Sequence, residues 1–154
     1  MNRLASTAII ITLATGSVTA AQDRATLVGR VTTSDLKAAP YADWFDGQYS
    51  RYEPDAANVE RLRPLLGGVS IEAYFGTWCG DSRRQIPRLA RLLDLTGVNE
   101  SRLTLVALSD RPGEFKQAPG RPEAKRYVHR TPTIVVLREG REVDLPLALR
   151  FVPL

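Results

Sequence analysis

Residues 69–82 read VSIEAYFGTWCGDS. Val69 to Phe75 is rich in β-branched and aromatic side chains, which predicts a strand. Gly76 opens a turn. From Asp81 onward, Ile86, Leu89, Ala90 and Leu93 recur at helical spacing, so a helix is expected to about Leu95. Pro87 falls inside it and is expected to bend it. Arg83, Arg84, Arg88 and Arg91 mark the opposite face, expected to be wet. The junction between strand and helix holds the chain's one cysteine, Cys79. A sulfur at a helix N-terminus meets unpaired backbone N–H groups and the positive end of the helix dipole, and both favour the thiolate. Arg83 and Arg84 in the first turn add to this effect, and Asp81 opposes it.

Working toward the N-terminus, Asp55 is a helix N-cap ahead of Val59, Leu62 and Leu66. Pro64 is expected to kink or shorten that helix, and Gly67-Gly68 to end it. Tyr41, Trp44, Phe45, Tyr49 and Tyr52 form an aromatic cluster, which either packs against the main domain or lines a partner groove. Packing is the expected role, because aromatic rings bury large areas. Residues 23–40 lack periodicity and are expected to be an extended lead-in. Toward the C-terminus, Leu103 to Leu108 is apolar on both faces, as in a strand covered on each side. A loop rich in Pro and Gly, 111–122, leads to an expected short helix at about Glu123 to Val128. Thr133 to Leu137 is a strand, Glu139-Gly140 a turn, and Arg141 to Leu145 the hairpin partner. This order of elements implies an α/β protein with a central mixed sheet and helices on both faces.

Three features in register resemble the thioredoxin family over about Val69 to Leu145. They are Trp78-Cys79-Gly80 at a strand-to-helix turn, Pro87 eight residues after the cysteine, and Thr131-Pro132-Thr133 just before the hairpin. The resemblance implies a thioredoxin-like fold with a shortened C-terminal end and Cys79 as the nucleophile. It implies Trp78, Gly80, Asp81 and Ser82 as the rest of the active-site loop, and Thr131 with a cis-Pro132 facing the sulfur. Where this chain has Ser82, the family usually carries a second cysteine, so ordinary dithiol reduction is ruled out for the isolated chain. What the resemblance leaves is monothiol exchange, with an external resolving thiol such as glutathione. Ala73 stands where the family often buries an acid, and Glu72 beside it is expected on the opposite face by strand alternation. A partial likeness of Cys79 to Ser82 to the monothiol glutaredoxin site would suggest an iron–sulfur cluster, but Trp78 fits thioredoxins better.

The 154-residue chain has room for one domain and can bury a core without disulfides. Asn2 and Arg3, the apolar run from Leu4 to Ala14 and the small residues Val18-Thr19-Ala20 form a secretory signal pattern. Its apolar part is short for a membrane span of about 20 residues. The organisation expected is thus a signal peptide over 1–21, an N-terminal extension over 22–52 and a thioredoxin-like domain over 53–154, in a periplasmic or secreted protein without stable membrane insertion. The net charge of +4 is spread among acids, which argues against a nucleic-acid partner. One Cys and one His, His129, are too few ligands for a closed zinc or copper site; His129 is expected in solvent. The expected chemistry is monothiol oxidoreductase or isomerase activity on protein disulfides or glutathione mixed disulfides, with no resident cofactor. The alternative is a redox-inactive binding module that holds a peptide on the same fold.

Overall fold

The computed structural model describes residues 26–143. The signal pattern over 1–21 lies outside the described residues, as do Asp144 and Leu145 of the expected hairpin. The elements run β1 (Gly29–Val31), α1 (Thr33–Leu36), α2 (Ala42–Arg51), α3 (Ala56–Leu62), β2 (Val69–Phe75), α4 (Gly80–Thr96), β3 (Leu103–Ala107), β4 (Thr133–Arg138) and β5 (Arg141–Glu142). Single 3-10 turns occur at Glu100–Arg102 and Ala124–Arg126. The strands form one open mixed sheet in the order β1-β3-β2-β4-β5. β2 pairs parallel with β3 and antiparallel with β4. The parallel pair is joined by α4, the crossover that parallel strands require.

Alternation along β2 divides the protein into two cores. Ile71, Ala73 and Phe75 face one way and pack with Leu36, Phe45, Leu62 and Leu89, so all four α-helices contribute to that core. Tyr74 faces the other way, with Val106, Leu108, Val135 and Leu137. The expectation of helices on both faces is corrected here. Among the described residues, the second face is covered by Ala118 and Val128 from the segment linking β3 to β4. That segment carries Pro112, Gly113, Pro119, Gly120 and Pro122, residues that interrupt helical hydrogen bonding.

The same segment contains one 3-10 turn in place of the short helix expected over 123–128. Glu123 turns its carboxylate inward to accept from the Ala118 amide at 3.3 Å and from Arg121 at 3.2 Å. Tyr127 then takes a left-handed φ of 50° and stops the turn. Nor is the described part of the expected lead-in, residues 26–40, plain extended chain. Thr32 and Asp35 form a reciprocal capping box that starts α1, and β1 adds an edge strand antiparallel to β3.

The helices α3 and α4 conform to the apolar spacing. Asp55 caps α3 by accepting from the Asn58 amide, and Gly97 closes α4 in the left-handed conformation. On α4, Ile86, Pro87, Leu89, Ala90 and Leu93 are buried. Its arginine face is wet, as expected, only at Arg84; the other three arginines are half-buried. Arg83, Arg88 and Arg91 lie over the rings of Trp44, Tyr52 and Tyr49 at 6.0, 5.7 and 5.4 Å. Arg88 also donates twice to Gln48 Oε1, at 3.2 and 3.1 Å. A guanidinium on an apolar stem can cover aromatic surface and keep its charge, which is how this face docks α2. The aromatic cluster packs: Phe45 is fully buried, Tyr41 and Tyr52 nearly so, and Trp44 and Tyr49 lie against the core.

Candidate active site

β2 delivers the chain to a tight turn whose geometry is set by residues 76–78. The Cys79 amide donates to the Gly76 carbonyl at 3.0 Å. The Trp78 indole folds back over Gly76, where a Cβ would stand 2.5 Å from Cε2, so any larger residue there must displace the ring. The indole is held by its Nε1, which donates to the Leu108 carbonyl at 2.9 Å, and by the Phe115 ring at 5.1 Å. Thr77 is buried; its hydroxyl accepts from the Leu27 amide at 3.2 Å, and its carbonyl accepts from Arg83 Nε.

Cys79 is the N-cap of α4 and is half-buried. Its Sγ lies 3.5 Å from the Thr131 carbonyl oxygen, to which the thiol donates. The Thr131–Pro132 peptide is cis. Ser82 is fully buried one turn into α4, and its Oγ accepts from the Gly76 amide at 3.2 Å. That bond occupies a lone pair and leaves the hydroxyl proton free to point at sulfur. Burial pushes the Cys79 thiol up, but the Thr131 side chain, the Ser82 amide and hydroxyl and the Asp81 amide together outweigh it. The net effect holds the thiol below its ordinary range, because donors aimed at sulfur favour its charged form.

The site residues expected from sequence thus converge unevenly. Cys79, Ser82 and Thr131 meet directly, and Trp78 forms the adjoining wall. Gly80 is exposed and a Cβ there would meet nothing, so no steric demand selects it. Asp81 is exposed and paired with Arg84 at 2.9 Å. Arg84 is thereby committed to Asp81 and Arg83 to Thr77, rather than both to the sulfur. His129 is exposed; its backbone carbonyl accepts from Lys116 Nζ at 3.0 Å.

Sequence reasoning passed over Phe115 and the Leu108 carbonyl. Neither carries a local signal, since both reach Trp78 from across the chain. Gly76 was legible only as a turn. Behind the site, Ala73 is fully buried in the helix-side core. Glu72 faces the other way, as alternation requires, and accepts from Arg126 at 2.8 and 3.2 Å and from the Tyr74 hydroxyl at 2.9 Å.

The fold and site define an α/β protein with a mixed five-stranded sheet and a single thiol at the start of α4, the longest helix among the described residues. Searches against family models, curated proteins and solved structures return no match.

Proposed function

We propose that the chain is a thioredoxin-like protein that performs monothiol disulfide exchange through Cys79, after export by its N-terminal signal. The observation that carries this reading is the placement of the sulfur. A half-buried thiol caps a 17-residue helix and lies 3.5 Å from the carbonyl of a residue preceding a cis-proline. Pro87 inside α4 adds to the resemblance.

In the proposed reaction, the Cys79 thiolate attacks one sulfur of a disulfide. A Cys79–substrate disulfide forms, the original S–S bond breaks, and the departing thiolate takes a proton from solvent. Ser82 cannot complete the cycle. A second thiol, from the substrate or from a small molecule such as glutathione, loses its proton and attacks the substrate sulfur, expelling the Cys79 thiolate. One S–S bond is made for each one broken, so the cycle needs no other oxidant or reductant. The Ser82 hydroxyl and the Ser82 and Asp81 amides stabilise the thiolate both as nucleophile and as leaving group.

A glutathione-coupled disulfide reduction assay, paired with refolding of a scrambled disulfide substrate, tests the reading. Both activities are expected to vanish in Cys79→Ala, and equal rates in the two chains would overturn it. A second reading, a redox-inactive binding module, is favoured by the apolar Ala73 behind the site, where the resemblance implies a proton-handling acid. Covalent capture of clients through Cys79 separates the two, since only exchange chemistry yields it.

A further inference from the structure

The segment between β3 and β4 surrounds a surface cavity of about 380 Å³ lined by Phe115, Lys116, Arg121, Tyr127 and His129, among others. Exposed apolar area is concentrated there. Phe115 and Tyr127 are 53% and 82% exposed, two of the three large apolar side chains exposed among the described residues. Backbone conformation is unusual there too. Lys116, Arg121 and Tyr127 are three of the four non-glycine residues with left-handed φ among the described residues. Such conformations are costly for residues with a Cβ and cluster at ligand-contacting sites.

The charge is one-sided. Arg121 is engaged by Glu123 and Arg126 by Glu72. Of the charges that line the cavity itself, Lys116 and Arg121 stand against Glu123 alone, and elsewhere in the segment Arg111, Lys125 and Arg130 outnumber Asp110 and Glu114. Two contacts run from the cavity's lining toward the thiol. Phe115 stacks at a tilt on Trp78, next to Cys79. Lys116 Nζ holds the carbonyl of His129, two residues before Thr131.

We infer that this cavity docks an extended peptide flank that carries carboxylates around an aromatic side chain, the apolar part on Phe115 and Tyr127 and the acids toward Lys116. Docking sets the neighbouring client sulfur against Cys79, and that second step alone rests on the exchange reading. The substrate class is therefore disulfides in acidic, aromatic-bearing segments.

Full-length protein is titrated into short fluorescent cysteine-free peptides and anisotropy is recorded. One peptide has Glu residues around a Phe, one has Lys for Glu, and one has Gly for Phe. The first is expected to bind about tenfold tighter than either other, and to weaken several-fold as salt screens the charges. Lys116→Gly and Tyr127→Gly are each expected to weaken it about fivefold; glycine adopts the left-handed φ freely, so the fold is kept. If Lys116→Gly unfolds for want of its contact with His129, Lys116→Met removes the charge and keeps the stem. Equal binding of the three peptides, or affinity unchanged in folded variants, overturns the inference. Acidic-peptide binding that persists in Cys79→Ala, with no exchange on a cysteine-bearing version by wild type, upholds docking and ends the exchange reading.

Discussion

The Trp78 indole lies directly over Gly76, where an added methyl group would meet Cε2 at 2.5 Å and Nε1 at 2.6 Å. Gly76→Ala must therefore displace the indole from Leu108 and Phe115. We expect a loss of about 2 kcal/mol, in the range of overpacked sites, and a shift of the tryptophan emission to the red. Thermal unfolding and fluorescence check both. A variant of wild-type stability would show that the indole yields freely.

Ser82 ties the thiol to the turn. Ser82→Ala deprives the buried Gly76 amide of its acceptor and the sulfur of a donor. We expect a cost of about 1–3 kcal/mol, the usual penalty for a buried unpaired polar group.

For the wild-type thiol, the rate of alkylation against pH should show a midpoint below the ordinary value, and Ser82→Ala should move it up. The sign of the linked stability follows. With the folded pKa lowered, Cys79 contributes stability above its unfolded pKa, and that contribution is lost as pH falls through the folded value. Denaturant midpoints across this window test it.

The pair formed by Glu72 and Arg126 bridges β2 to the covering segment. The Arg126 guanidinium, with help from Tyr74, holds the Glu72 carboxyl below its ordinary range, although burial opposes this. Arg126→Met should cost about 1–2 kcal/mol at neutral pH, as for a charged hydrogen-bonded pair that is partly buried. Because the folded pKa is lowered, this stabilisation holds above the unfolded carboxylate pKa and disappears as pH falls through the folded one. The difference between the two chains should shrink in acid.

Tyr74 behaves in the opposite sense. Burial, and then the Glu72 carboxylate that accepts its hydroxyl, push its pKa up to about 12. Its contribution is intact below the unfolded value of 10.0 and is lost as pH rises toward about 12. Tyr74→Phe should unfold less steeply between those values, as read by far-ultraviolet circular dichroism.

Phe45 on α2 is fully buried, stacked on Tyr49 at 6.1 Å and set edge-on to Trp44. Phe45→Ala should cost about 3–5 kcal/mol, the usual penalty for emptying a core aromatic site. Thermal unfolding should remain a single transition at lower temperature, because α2 and α4 share one core.

What the sequence by itself determined is periodic or local. The strand over Val69–Phe75, the helix behind Cys79, the cap at Asp55 and the turn at Glu139-Gly140 all follow from spacing and capping chemistry within a few residues. So does the position of a thiol at a helix start, and with it the direction in which the helix amides bias that thiol. Even α1 was legible in principle, since Thr32 and Asp35 spell a capping box. Only the tertiary structure decided what lies across from those residues. It brought Thr131 to the sulfur from 52 positions away and Leu108 to Trp78 from 30. It turned Arg83, Arg88 and Arg91 of α4 onto α2 and, among the described residues, covered the second sheet face with loop in place of helix. An arginine reads as solvated because its charge is local and evident. The aromatic ring that shelters it lies on another element, and no periodicity within α4 encodes that partner.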